Sequence, residues 1–200
     1  MVGWNNYKSK EKIANVVSIL TNAPIIAFFM FSGLSYYFLS GVDFIIVTMV
    51  TLIFSVLIPS IIAYTWIKNK NLEFDMPNKE DRLYPLLWIL LSYSLGVIVL
   101  HIIFAPPVIT VLMFYYFSST MVILIISLFW KISIHSVWVA GPVAFLIYIF
   151  GYSGLFFLPI IPLVMWSRLF LKRHTPIQVI AGASMGFVLI TVQIYFFLGF

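Results

Sequence analysis

Long apolar stretches dominate this chain, and they constrain its fold more than any other feature. A segment of about 20 mostly apolar residues is enough to cross the hydrocarbon core of a bilayer. Seven stretches of this kind follow one another along the 200 residues: 12–39, 43–67, 84–104, 108–130, 133–150, 154–171 and 176–199. Because a chain in lipid satisfies its backbone groups most simply as a helix, the pattern predicts an all-α polytopic membrane bundle of six to seven transmembrane helices.

The composition argues against most other classes of protein. Hydrophobic residues make up 63% of the chain and charged residues only 8%, whereas a soluble domain carries about 25% charged residues. So few charges argue against a soluble domain, a disordered chain or a nucleic-acid-binding protein. The absence of Cys removes disulfides and thiolate chemistry. The first apolar stretch is longer than that of an ordinary signal peptide, and residues 1–200 are interpreted as one membrane domain.

The basic residues are segregated to one side of the predicted bundle. Seven crossings place the N-terminal residues and the segments 68–82, 131–135 and 168–174 on the same side. All 11 Lys and Arg residues fall there, and the only charged residue on the other side is Asp43. Positive charge marks the cytoplasmic side of membrane proteins. We therefore expect a multi-pass protein of the cell membrane whose basic side faces the cytoplasm.

The most informative polar segment, 167–178, lies between the last two apolar stretches. Thr175 and Gln178 have the spacing of a capping box, which predicts that a helix begins there. His174 then lies just outside a helix N-terminus, where backbone N–H groups favour an anion. Arg168 can bind the same anion through its planar fork. The same residues are also explained, about equally well, as the end of a membrane helix whose basic side chains simply anchor it at the membrane surface.

This segment resembles the third signature of the type 2 phosphatidic acid phosphatase superfamily, integral-membrane lipid phosphatases related to haloperoxidases. That signature reads Ser-Arg-x5-His-x3-Asp, and the chain matches it at Ser167, Arg168 and His174, with Gln178 in place of the Asp. The His-Thr-x-x-Gln form is similar to that of the dolichyl diphosphatases in this superfamily. The resemblance therefore implies an isoprenoid (polyprenyl) diphosphate as the preferred substrate.

Two weaker matches precede the third signature. The second family signature, Pro-Ser-Gly-His, is retained only at Ser133 and His135. The first, Lys-x6-Arg-Pro, is retained only at Arg82, and Lys79 is a candidate for the missing cation. The resemblance covers residues 75–190 in the family's order, and the count of crossings puts all three segments on one side of the membrane.

The resemblance implies a phosphoryl transfer in two steps. His174 would be the nucleophile that forms a phosphohistidine, and His135 would protonate the leaving oxygen and then activate water. Gln178 replaces the family Asp that orients the nucleophile, and an amide accepts the same hydrogen bond without contributing charge. The phosphate would be held by Arg168, Arg82, Lys131, Ser133 and Lys79. The family needs no metal or other cofactor.

Several alternative functions stay open on the sequence alone. They are a phosphatase of phosphatidate-type or glycerophosphate lipids, a phosphotransferase with the same intermediate, and a catalytically inactive lipid-binding homologue. A transporter is disfavoured because the charges cluster at one face instead of the bilayer midplane. A membrane prenyltransferase needs two acidic motifs, and Asp75, Glu80 and Asp81 supply one at most. The expected partners are a lipid phosphate substrate and membrane lipid, without nucleic acid.

Two further features have structural interpretations. His101 lies inside the third stretch without a partner nearby in sequence, and we interpret it as a histidine hydrogen-bonded in helix packing. Gly182 and Gly186 form a Gly-x-x-x-Gly face in the last stretch. Small residues at this spacing let two helix backbones approach each other closely, so a close helix contact is predicted there.

Overall fold

The computed structural model describes residues 2–71, 78 and 80–199, and side chains from residue 8 onwards. These residues form a helical bundle in which no strand occurs. The α-helices are α1 (Val2–Leu20), α2 (Ala23–Phe38), α3 (Gly41–Leu52), α4 (Ile58–Lys70), α5 (Glu80–Ile102), α6 (Pro107–Phe129), α7 (Ile134–Phe150), α8 (Ile160–Phe170) and α9 (Pro176–Leu198). A π-helical turn (Ile53–Leu57) joins α3 to α4, and a 3-10 segment (Gly151–Phe157) follows α7.

Within the described ranges, five helical segments are long and apolar enough to cross a membrane. They are Gly41–Lys70, Glu80–Ile102, Pro107–Phe129, Ile134–Phe157 and Pro176–Leu198. A sixth is added if the bent pair Lys8–Leu20 and Ala23–Phe38 forms one span. The predicted all-α polytopic bundle is therefore confirmed, with five spans, or six if the bent pair is one span, against the six to seven predicted.

The first predicted stretch is two helices instead of one. The axes of α1 and α2 are bent by 51° at a break next to Asn22. Pro24 stands at the start of α2, and the ring of a proline clashes with the carbonyl four residues earlier. That carbonyl belongs to Leu20, where α1 ends. The Asn22 side chain caps α2 by accepting a hydrogen bond from the N–H of Ala23 at 2.8 Å.

The sixth predicted stretch, 154–171, is also broken. Gly151 has a φ of +56°, the 3-10 segment follows it, and α8 begins only after Pro159. The 11 residues of α8 are too short to cross a bilayer alone, at about 1.5 Å per residue. Arg168 in the last turn of α8 nevertheless lines the same cavity as His135 in the first turn of α7, so by the end of α8 the chain has returned to the end of the bundle where α7 began.

Helices α7 and α9 pack extensively against each other. A Cβ added to Gly182 would lie 2.6 Å from the carbonyl oxygen of Ser133, and one added to Gly186 would lie 2.4 Å from that of Val137. The predicted close helix contact is thus present, with α7 as the partner. Tyr115 of α6 extends the contact because its hydroxyl donates to the Val137 carbonyl at 2.6 Å.

Replacing Gly182 by Ala is expected to destabilise the protein by about 1–3 kcal/mol, the usual cost of overpacking a tight contact. The added methyl group would press on the backbone carbonyl of Ser133. A backbone atom cannot move aside as the end of a flexible side chain can. The measurement is the thermal unfolding midpoint in detergent. Gly33→Ala is the matched control because no atom lies within 4 Å of its added Cβ. Equal midpoints for the two variants would contradict the close α7–α9 contact.

The π-helical turn between α3 and α4 has a clear local cause. The N–H of Ile58 donates to the carbonyl of Ile53, five residues earlier. In this register the carbonyl of Phe54 faces Pro59, which has no N–H to donate. The hydroxyl of Ser92 on α5 donates to the Phe54 carbonyl instead, at 2.8 Å. This bond fixes α5 against the turn, and Pro59 lines the cavity of the candidate site.

Candidate active site

One cavity, of about 140 Å³, brings together four of the residues that the signatures indicated. Arg82 lies in the first turn of α5, His135 in the first turn of α7, Arg168 in the last turn of α8, and His174 just before α9. All four line the cavity. The fold therefore joins residues that are up to 92 positions apart in the sequence.

The rest of the cavity wall is mostly apolar and extends towards the middle of the bundle. Ile67 and Pro59 of α4 form one side, Ile89 and Tyr93 of α5 another, and Trp138 of α7 a third. Tyr93 lies 11 residues beyond Arg82 on the same helix, about 16 Å deeper into the bundle. The cavity thus has a charged end and an apolar end, which suits a ligand with a polar head and a hydrocarbon chain.

Arg168 is held by α1, a helix that no sequence pattern connects with the site. The guanidinium is only 1% exposed, and its Nη1 donates to the Ser18 hydroxyl at 2.6 Å. The neighbouring Ser167 hydroxyl donates to the Ala14 carbonyl at 2.7 Å. Both serine contacts fix the last turn of α8 against α1, so the Ser-Arg pair of the signature combines an anchoring residue with a charged one.

Arg82 reaches the cavity from the first turn of α5. Its side chain is 6% exposed, and Nη1 lies 3.5 Å from the carbonyl oxygen of Ile132, the outer limit of a hydrogen bond. This contact ties the start of α5 to the segment before α7. The Trp66 indole N–H donates to the Asp81 carbonyl at 2.8 Å, which also fixes the end of α4 there.

His174 and Gln178 make the contact that the third signature predicts for its His and Asp. The Nδ1 of His174 lies 3.1 Å from Oε1 of Gln178, and the same Oε1 accepts the N–H of Thr175 at 3.1 Å. An oxygen that accepts both bonds requires His174 to carry its proton on Nδ1. The capping box predicted for Thr175 and Gln178 is present, and it leaves Nε2 of His174 with a lone pair.

His174 is a neutral imidazole at pH 7. Its pKa is lowered from 6.5 to about 3, first by burial and then by the positive charges of Arg168 and Arg82. The hydrogen bond with Gln178 raises the pKa by a smaller amount, and Lys131 lowers it further. A neutral, oriented imidazole beside two guanidinium groups has the properties of a nucleophile poised for an anionic electrophile.

The low pKa of His174 predicts a loss of stability in acid. Between pH 6.5 and about 3 the unfolded chain binds a proton at His174 that the folded chain does not, so stability falls as the pH falls. From pH 7 to 4.5 this group contributes a loss of about 2 kcal/mol. We expect the unfolding midpoint of His174→Gln to fall less over this interval than that of the wild type. His101→Gln is the control, and an equal fall in all three proteins would contradict the shift.

The other phosphate-binding residues predicted from the sequence are not among the residues that line the cavity. Ser133 is fully buried and caps α7, where its hydroxyl oxygen accepts from the N–H of Ser136 at 3.4 Å and from its hydroxyl at 2.9 Å. It does not belong to the cavity lining. Lys131 also lies outside the lining, although its charge reaches His174. Lys79 falls outside the described residues.

One polar residue of the cavity is not part of any signature, and the position predicted for His101 is wrong. Asn22 lines the charged end of the cavity, and its signal in the sequence is the Asn-Ala-Pro triplet, which ends one helix and begins the next. His101 is exposed at the far end of α5, so its interpretation as a packed histidine is wrong. The last turn of α5 leaves its side chain outside the bundle.

The composition of the cavity lining favours an anionic ligand. Among the described residues, the lining contains two arginines and two histidines and no carboxylate, and no group of three or more His, Asp or Glu residues is placed to hold a metal ion. Guanidinium groups bind phosphate and carboxylate oxygens through paired hydrogen bonds. Comparison of the chain with protein-family models, curated proteins and solved structures gave no match.

Proposed function

We propose that this protein is an integral-membrane lipid phosphatase that hydrolyses an isoprenoid diphosphate through a phosphohistidine intermediate. The observation that carries the proposal is His174, neutral and held at Nδ1 by Gln178, on the wall of a cavity shared with Arg82, Arg168 and His135. The charged end of this cavity suits a phosphate, and the apolar end suits a lipid chain. The three signatures add a resemblance to phosphatases that work without a cofactor.

The first step transfers the terminal phosphoryl group to His174. Nε2 attacks the terminal phosphorus and forms the N–P bond, while the bond from phosphorus to the bridging oxygen breaks. The lipid monophosphate leaves, and protonated His135 gives its proton to the departing oxygen. Arg82 and Arg168 bind the oxygens of the transferring group, because phosphoryl transfer depends mainly on positioning and charge stabilisation.

The second step returns the enzyme to its starting state. His135, now neutral, takes a proton from a water molecule whose oxygen attacks phosphorus. The N–P bond breaks, inorganic phosphate forms, and the electron pair returns to Nε2 of His174. The hydrogen bond to Gln178 keeps the ring in the same tautomer throughout, so no rearrangement of His174 is needed between turnovers.

Gln178 favours a diphosphate over a phosphate monoester. Without a carboxylate beside it, His174 gains no negative charge to stabilise the cationic phosphohistidine, so the nucleophile is less strongly activated. A lipid monophosphate is a much better leaving group than a lipid alkoxide. A weaker nucleophile is therefore expected to hydrolyse a diphosphate faster than phosphatidate, which has to expel an alkoxide.

The test is phosphate release by purified protein in detergent from farnesyl diphosphate and from dioleoyl phosphatidate. We expect release from the diphosphate, with kcat/KM at least about tenfold higher than for phosphatidate. Release from phosphatidate with none from the diphosphate would replace the proposed substrate with a phosphatidate-type lipid. Release from neither lipid would favour an inactive lipid-binding homologue.

We also propose that the charged end of the cavity faces the cytoplasm, as the distribution of basic residues indicates. Because the chain has no Cys, single-cysteine variants report sidedness cleanly. Lys70 is exposed at the end of α4. Tyr152 is 93% exposed and follows the end of α7 that is far from His135. We expect a membrane-impermeant maleimide to label Tyr152→Cys in intact cells and Lys70→Cys only after permeabilisation. The reverse pattern would place the site outside.

A further inference from the structure

The break between α1 and α2 places an uncharged amide at the charged end of the cavity. Asn22 lines the cavity together with Arg82, Arg168 and His174. Its Oδ1 is occupied by the N–H of Ala23 at 2.8 Å. Among the described residues, none accepts a hydrogen bond from its Nδ2, so this donor is available to a ligand.

Asn22 directly follows the turn of α1 that contacts Arg168. Four residues earlier in the chain, the Ser18 hydroxyl accepts from Nη1 of Arg168 at 2.6 Å. The N–H of Asn22 still donates to the Ile19 carbonyl at 3.1 Å, which continues the turn. Asn22 therefore directly follows the part of α1 that contacts Arg168, and both residues line the same cavity.

Asn22 lies at the part of the charged end of the cavity that is next to the apolar wall. The next two residues in the chain, Ala23 and Pro24, already belong to the apolar wall. In a lipid diphosphate the transferred phosphate must lie at His174, and the lipid chain must lie along the apolar wall. The phosphate that stays with the lipid lies between them, where the charged end is next to the apolar wall.

We propose that Asn22 is a specificity-determining residue whose Nδ2 donates a hydrogen bond to the phosphate that remains on the lipid. The inference rests on the proposed function and adds to it the means by which the site distinguishes a diphosphate from a monophosphate. A monophosphate places its only phosphate at His174 and leaves Asn22 without a ligand. A diphosphate gains this bond, because a hydrogen bond to a charged group contributes more than one between neutral groups.

The test compares kcat/KM for farnesyl diphosphate with kcat/KM for farnesyl monophosphate in matched variants. In Asn22→Ala we expect the ratio of the two constants to fall at least about tenfold, mainly through the diphosphate. Asn22→Asp keeps the oxygen that caps α2 and replaces the donor with an anion, so its ratio falls further while its unfolding midpoint stays near the wild-type value. Asn15→Ala, an exposed asparagine on α1, leaves the ratio unchanged.

An unchanged ratio in both Asn22 variants, or an equal loss towards the two substrates, would overturn the role of Asn22. Failure of the proposed function gives a different result, which is no turnover of either substrate by the wild type. In that case the readout is the rise in unfolding midpoint caused by farnesyl methylenediphosphonate and by farnesyl phosphonate. Asn22→Ala must reduce the first rise and preserve the second, and any other result overturns the inference.

Discussion

Replacing His174 by Ala is expected to reduce phosphate release from farnesyl diphosphate at least about 10³-fold. The variant removes the atom that forms the N–P bond, and loss of a catalytic nucleophile usually leaves only the residual rate due to binding and charge stabilisation. The measurement is kcat under saturating substrate, because the two arginines should still bind the phosphate and leave KM little changed. Binding measured by the rise in unfolding midpoint with inorganic phosphate checks that the cavity is intact.

His101→Ala is the matched control for this variant. His101 is exposed at the far end of α5, and Arg82 lies at the start of the same helix, so His101 is about 28 Å from the site along the helix axis. We expect His101→Ala to keep the wild-type kcat. If wild type and His174→Ala release phosphate equally, His174 is not the nucleophile, whatever the nature of the substrate.

Replacing Gln178 by Leu is expected to lower kcat by about 10² to 10⁴. Leu has a similar size but accepts no hydrogen bond, so the proton on Nδ1 of His174 loses its partner and the ring is free to adopt the inactive tautomer. In a serine protease, the Asp→Asn change that alters the tautomer costs about 10⁴ in rate. The loss of the capping bond to Thr175 should reduce stability by only about 1 kcal/mol, so activity is measured well below the unfolding midpoint.

Gln178→Glu separates the tautomer from the charge. Glu keeps an oxygen where Oε1 accepts from His174 and Thr175, and it adds the negative charge that an Asp provides in the related signature. We expect Gln178→Glu to retain activity towards the diphosphate and to gain activity towards phosphatidate, because a better-activated nucleophile can expel a poorer leaving group. Full activity in Gln178→Leu would show that the His174–Gln178 bond has no catalytic role.

The part of the site that could be predicted from sequence is the local part. Thr175 and Gln178 are three residues apart, and His174 and Gln178 are four apart, so one capping box at the start of α9 determines their geometry. The all-α membrane bundle follows in the same way from stretch length and composition. The order of crossings was enough to expect Arg82 and His135 at the same end as these residues.

The part that could not be predicted depends on packing between distant segments. Ser18 and Arg168 are 150 residues apart in the sequence, and no local pattern indicates that α1 covers α8. Asn22 enters the cavity only because Pro24 breaks the first apolar stretch, whose hydropathy continues across the break. Ser133 matches a signature position, but the start of α7 needs a cap, and the hydroxyl serves there instead of lining the cavity.

The number of spans shows the same limit. A hydropathy pattern counts apolar residues and does not register the positive φ of Gly151, where the 3-10 segment begins, or Pro159, which separates that segment from α8 within stretch 154–171. The chain nevertheless returns to the site, because Arg168 at the end of α8 lines the same cavity as His135 near the start of α7. The convergence of charged residues therefore depends on the path of the chain more than on unbroken helices.

The most direct test of the central claim is to trap the covalent intermediate. Purified protein is mixed with farnesyl diphosphate carrying a labelled terminal phosphate, quenched within milliseconds in alkaline detergent, and digested for mass spectrometry. We expect a phosphate that is stable in base and labile in acid, on the peptide containing His174, and absent from His174→Ala. Turnover at the wild-type rate with no label on this peptide at any quench time, or with the label on another residue, would contradict a phosphohistidine at His174.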